Sequence, residues 1–86
     1  MARYNLSLKP SAVKEIESIG SKRDRQRIVA RIGQLAMDPR PPGCEKLSGQ
    51  EKYRIRQGSY RIVYSVKDNE LFVYVVKVGH RKDVYR

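Results

Sequence analysis

The sequence predicts a single α+β domain over residues 1–86: an N-terminal strand, an antiparallel helical hairpin, then a three-strand antiparallel meander, with the helices packed on one face of the sheet. Three observations carry this prediction. Polar and apolar residues alternate at the start of the chain and again from Tyr53 onward, which is the period of half-buried strands. Between these stretches apolar residues recur every three or four positions, which is the period of helices. Each helical segment has one apolar stripe and the later strands have one apolar face, so the parts can close a common core. A length of 86 residues suits one module and no second.

In Arg3–Leu8, the alternation puts Tyr4, Leu6 and Leu8 on one face of the first strand. Pro10 suits a first helical turn; Val13, Ile16 and Ile19 form the stripe and Gly20 closes the helix. Ser21 with Asp24 three residues later reads as a capping box. The helix it opens has the stripe Ile28, Ile32 and Leu35, flanked by Val29 and Ala36. A link of about two residues folds the two helices into a hairpin. Pro39, Pro41, Pro42 and Gly43 then forbid further helix.

The meander specifies its own register. A Gly58-Ser59 loop sets Gln57 against Tyr60, Arg56 against Arg61, Ile55 against Ile62 and Tyr53 against Tyr64. An Asp68-Asn69 loop would set Lys67 against Glu70, Val66 against Leu71, Tyr64 against Val73 and Ile62 against Val75. The core face then holds Tyr53, Ile55, Ile62, Tyr64, Val66, Leu71, Val73 and Val75. The open face holds Arg54, Arg56, Arg61, Val63, Phe72, Tyr74, Val76 and Val78.

Charge narrows the function. Nineteen Lys and Arg against nine Asp and Glu give a net charge of +10, the mark of a polyanionic partner such as nucleic acid, or of an acidic protein. Both the N-terminal and C-terminal parts carry the excess, so it belongs to the folded domain and not to a tail. No apolar run approaches the roughly 20 residues that span a bilayer, and the N-terminus lacks the apolar segment of a signal peptide, so a cytoplasmic protein is expected. Cys44 and His80 are too few for a four-ligand zinc site, and neither a metal nor another cofactor is expected.

Arg56 directly opposite Arg61, with Arg54 two residues away on the same face, is the one chemically awkward pairing in the sheet. Like charges facing each other destabilise a sheet, and a bound phosphate would relieve them. Arg23, Arg27 and Arg31 form a second single-sign stripe on the second helix, equally suited to solvent and to nucleic acid. Val63, Phe72, Tyr74 and Val76 beside the arginines form an apolar patch of the kind that marks a partner surface, unless the first strand or the 38–52 loop covers it.

Lys46-Leu47-Ser48-Gly49 leading into Tyr53-Arg54-Ile55-Arg56, the run Tyr60-Arg61-Ile62-Val63-Tyr64, and Val75-Val76-Lys77-Val78-Gly79-His80-Arg81 through to Tyr85 resemble the RelE branch of the RelE/ParE toxin superfamily. With the opening strand and the helices in order, the resemblance covers nearly the whole chain. It implies a toxin of a type II toxin–antitoxin pair that cuts mRNA in the ribosomal decoding site without a metal. The ribose 2′-oxygen attacks the adjacent phosphate, leaving a 2′,3′-cyclic phosphate and a 5′-hydroxyl.

The family's functional positions match Arg54, Arg56, Arg61, Arg81 and Tyr85. Arg54 and Arg56 stand where RelE members often have lysine, and a guanidinium is too weak an acid to serve as general base, so they should stabilise charge. His80, the one side chain with an ordinary pKa near neutrality, is expected to transfer a proton. Arg61 and Arg81 would hold the phosphate, and Tyr85 would stack on or orient the nucleotide. The implied partners are a cognate acidic antitoxin, ribosome-bound mRNA and ribosomal RNA, with no membrane and no small-molecule cofactor. The alternatives are a ParE-like inhibitor of DNA gyrase that cuts nothing, which needs no arginine cluster, and a degenerate RNA-binding member.

Overall fold

A computed structural model of the chain describes residues 3–47 and 51–80. Its elements are β1 (Asn5–Leu8), α1 (Pro10–Glu17), α2 (Lys22–Leu35), β2 (Glu45–Lys46), β3 (Lys52–Gln57), β4 (Tyr60–Lys67) and β5 (Phe72–His80), with a 3₁₀ turn at Asp68–Glu70. The strands form one sheet in the order β1-β5-β4-β3-β2. Both helices pack their inner residues against one face of it, completing the α+β layer arrangement that the sequence predicts.

Pro10 starts α1, where its fixed φ fits the helix and its missing N–H leaves no bond unmade. The inward positions are Ala12, Ile16 and then Ile19 just past the helix. Val13, expected in the stripe, lies one position round the helix and is 39% exposed. The helix stops before Gly20: the cap is Ser18, whose hydroxyl donates to the Glu15 carbonyl at 2.8 Å. The link therefore runs from Ser18 to Ser21 and is longer than expected. Arg25 donates from its guanidinium to the Ile19 carbonyl and ties this link to α2. The Ser21 hydroxyl accepts from the Asp24 amide at 3.2 Å, which is the expected cap. Ile28, Ile32, Leu35 and Ala36 are buried, whereas Val29 points outward.

Between β3 and β4 the register is the one read from the sequence, from Tyr53 opposite Tyr64 to Gln57 opposite Tyr60. Gly58 takes φ 60°, which a Gly-X hairpin turn requires of its first residue. Between β4 and β5 the expectation fails in two ways. The connection is longer, running through the 3₁₀ turn to Leu71 at φ 49°, so Lys67 faces Phe72 and Tyr64 faces Val75. Leu71 thus leaves the core and is 39% exposed, and its carbonyl accepts the Asn5 amide at 2.7 Å where β1 begins.

A slide of two residues keeps Val73 and Val75 facing inward, because side chains alternate with period two. A bulge then follows: Val63 faces Lys77 while Tyr64 faces Val75, so Val76 has no opposite residue. Past the bulge the faces exchange, and Val78, expected on the open face, lies 1% exposed in the core opposite Ile62. β1 pairs parallel with β5, from Asn5 opposite Phe72 to Leu8 opposite Val75. It extends the sheet and does not cover the open face. β2, inside the stretch expected to be loop, pairs Glu45 with Arg54 and Lys46 with Tyr53.

A polar latch holds the proline-rich segment. Arg40 forks onto Asp68 with bonds of 2.9 and 2.8 Å, donates from Nε to the Tyr53 hydroxyl at 3.0 Å, and lies over the Tyr53 ring. The Tyr4 hydroxyl donates to the same Asp68 carboxylate at 2.7 Å. Arg40 foremost, and then Tyr4, hold the Asp68 carboxyl at about 2 against an ordinary 3.8. A carboxyl whose pKa falls on folding stabilises the fold above its unfolded pKa and loses that contribution as the folded pKa is approached. Asp68→Asn should therefore melt below the parent at neutral pH, and the gap should shrink as pH falls from 3.8 to about 2. Melting curves of both proteins across that window check this. Among the described residues, no helix is long and apolar enough to cross a membrane.

Candidate nucleic-acid interface

The face of the sheet turned away from the helices carries its charge in rows that strand pairing sets. One row runs Arg56, Arg61, Gly79 across β3, β4 and β5; the next runs Glu45, Arg54, Val63, Lys77 across β2 to β5; then come Lys52, Ser65 and Tyr74. Arg56 and Arg61 do face each other, with Arg54 two residues along the same strand face.

Arg61 is on β4, the middle of five strands, and is 8% exposed, the one buried charged residue among those described. Such a guanidinium is held in place by its neighbours and acts in a low dielectric, where its field on an anion is stronger than in water. Arg56, nearer the sheet's edge, is exposed.

Arg54 pairs with Glu45 at 2.9 Å. The hydrogen bond from Arg54 does most to keep the Glu45 carboxyl below its usual range, and the charges of Arg61 and Arg56 push in the same direction. Strand pairing thus gathers the three arginines at adjoining positions of one sheet face, with Glu45 against Arg54. Glu45 itself was not legible in the sequence. β2 is two residues long, and the connection from it to β3 is too long to fix a register, whereas Gly58-Ser59 fixes the next one. The available signal was a carboxylate just upstream of the arginine-bearing strand.

Beside the arginines, Lys9, Lys52, Lys77 and Glu15 line a groove with Leu47, Val63 and Val76, and the Glu15 carboxylate lies 3.6 Å from the Lys77 ammonium. Val63 is 8% exposed, so this part of the expected apolar patch is covered. Leu47, from the 38–52 stretch, lines the same groove. Phe72 and Tyr74 stack with ring centres 6.2 Å apart and are half-buried. On α2, Arg23 and Arg27 are exposed, and Arg31 donates to Gln34 at 3.2 Å.

The structure does not bring His80 to the arginines. It faces Tyr60 across β4 and β5 and meets that ring edge-on, with centres 5.8 Å apart, on the side of the sheet where Tyr60 packs against the core. The bulge causes this, because it exchanges the faces of the last residues of β5 and puts Gly79 opposite Arg61. Arg81 and Tyr85 lie outside the described residues.

Residues 6–85 match the model of the family described as ParE toxin of type II toxin–antitoxin system. The mRNA interferase toxin RelE of Escherichia coli K12 is 32% identical over 82 residues, covering 92% of this chain and 84% of that protein. The RelE–RelB complex of Pyrococcus horikoshii contains a chain that superposes with a TM-score of 0.83 at 27% identity, covering 96% of this chain and 99% of that one. In the intact E. coli RelBE toxin–antitoxin complex the corresponding values are 0.74 and 32%, covering 90% and 95%. Sequence pattern, sheet order and these likenesses agree: the chain belongs to the ParE toxin family of type II toxin–antitoxin systems, within the RelE-like branch of the RelE/ParE superfamily.

Proposed function

We propose that this protein is the toxin of a type II pair and a metal-independent endoribonuclease that cuts mRNA on the ribosome. The observation that carries this reading is the Arg56–Arg61 pair with Arg54 beside it, on the sheet face away from the helices. In the proposed reaction the O2′–P bond forms as the P–O5′ bond breaks. The proton of the 2′-hydroxyl is removed and one is returned to the leaving 5′-oxygen. Negative charge gathers on the non-bridging oxygens, and guanidinium groups already in place stabilise it without having to reorganise. Arg54, Arg56 and Arg61 take this role. Arg81 on the phosphate and Tyr85 on the nucleotide complete the site by family resemblance. Lys9 and Lys52 in the adjoining groove extend the positive surface along which a single strand would lie, Lys77 there being paired with Glu15.

His80 is on the other side of the sheet, and we assign it to packing against Tyr60 instead of proton transfer. A proton-transfer residue contributes roughly 100-fold or more, so His80→Ala should retain cleavage to within about tenfold of the parent. A larger loss, with melting unchanged, would return it to the chemistry.

The partner in the cell is a cognate acidic antitoxin, in keeping with the +10 charge and with the RelB-bound forms of the similar structures. The site of action is the cytoplasm, on ribosome-bound mRNA and its surrounding ribosomal RNA. Brief induction followed by primer extension on a translated message tests the reading. Position-specific stops inside codons are expected; DNA damage and filamentation without such stops would overturn it in favour of a gyrase inhibitor.

A further inference from the structure

The arginine cluster already has an anion of its own chain. Glu45 projects from the edge strand β2 directly opposite Arg54 and binds its guanidinium at 2.9 Å, while remaining 62% exposed. The other two arginines stand in the adjoining row, one on β3 and one on β4. Resting on the reading of this face as a phosphate site, we propose that Glu45 is a specificity-determining residue: by holding Arg54 it keeps an incoming phosphate in the Arg56–Arg61 row.

The physical grounds are charge and place. A phosphodiester bears one negative charge and presents two free oxygens, which suit the forked donors of a facing guanidinium pair. A third guanidinium beside that pair would hold the same phosphate in an alternative position, or take the next one along the strand. Glu45 removes that choice, because a phosphate approaching Arg54 must displace a carboxylate already hydrogen-bonded to it and meets its negative charge on the way. The exposure of Glu45 keeps the barrier modest, since a solvated ion pair is worth little. It therefore selects a register without closing the site. Glu45 also relieves the repulsion among the arginines while the site is empty, which frees the fold from depending on a bound anion.

Salt dependence separates this role from a general charge effect. Each phosphate contact on a single strand steepens the dependence of log affinity on log salt by about 0.7. A short RNA with 2′-O-methyl groups, which cannot be cut, serves as the probe, with anisotropy measured from low to high salt. Glu45→Gln, which keeps the shape and loses the charge, should bind roughly two- to fivefold more tightly at low salt and steepen the slope by about 0.7. In an Arg54→Ala background the same change should lose at least half of that gain and all of the added slope.

Equal affinity and slope in the parent and Glu45→Gln, or a gain that persists undiminished without Arg54, would overturn the proposal and leave the phosphate site standing. Failure of the parent and the variant alike to bind the probe would overturn both. Circular dichroism of each variant establishes that the fold is kept.

Discussion

Arg61→Ala should lose cleavage of ribosome-bound message by about 100- to 1000-fold, the usual loss when one preorganised donor to a developing oxyanion is removed. Three features single it out. It is on the central strand, it is 8% exposed and so fixed by its surroundings, and it faces Arg56 across the ladder. Arg61→Lys keeps the charge but replaces a planar fork by a point donor, and should recover no more than about a tenth of the parent rate.

Stability should change little in Arg61→Ala. Loss of the packed side-chain stem is offset in part by relief of the repulsion with Arg56. Single-turnover cleavage on programmed ribosomes, beside urea melts of the same samples, measures both effects. An alanine variant that cuts at the parent rate would remove the arginine face from the mechanism.

The second large effect is on folding. Tyr64 has no exposed surface, stacks on Tyr53 with ring centres 5.9 Å apart, and donates its hydroxyl to the Pro39 carbonyl at 2.7 Å. Burial is the main cause that raises its phenol pKa, so the group stays a neutral donor. Tyr64→Ala should cost about 3–5 kcal/mol through the cavity it leaves. A domain of 86 residues has only roughly 4–13 kcal/mol to lose, so this variant is expected to give up about a quarter or more of its stability and to unfold at a much lower denaturant concentration. Tyr64→Phe keeps the ring and should cost only about 1–2 kcal/mol, from a buried carbonyl without its donor. Denaturant midpoints of the two variants separate ring from hydroxyl; an alanine variant within about 1 kcal/mol of the parent would show the site collapsing to fill the space.

Legibility in the sequence tracked how tightly each connection constrains its strands. Gly58-Ser59 permits one register, and the pairing from Tyr53–Tyr64 to Gln57–Tyr60, with the arginine pair inside it, was readable residue by residue. Asp68 to Leu71 permits several, because a leucine at positive φ is held by the rest of the fold and has no signature of its own. The bulge at Val76 was invisible for a related reason. A run of valines reads the same in either parity, so nothing local tells that Val78 turns inward and His80 with it. Val13 and Val29 show the same ambiguity in helices, where two neighbouring apolar positions compete for one stripe and packing decides. The candidate site was therefore legible where it rests on the tight hairpin. It was not legible where it rests on β2, which contributes Glu45, or on the end of β5, which carries His80 away.

The pairing of β1 with β5 joins the first strand among the described residues to the last. Such a contact forms late, since the loop it closes runs from Leu8 to Phe72. While the chain is being synthesised, the helices and the β3–β4 hairpin can assemble, but Asn5–Leu8 has no strand to lie against until Phe72–His80 has left the exit tunnel. The rim of the sheet is thus sealed by a segment made early that must wait, unpartnered, for one made much later.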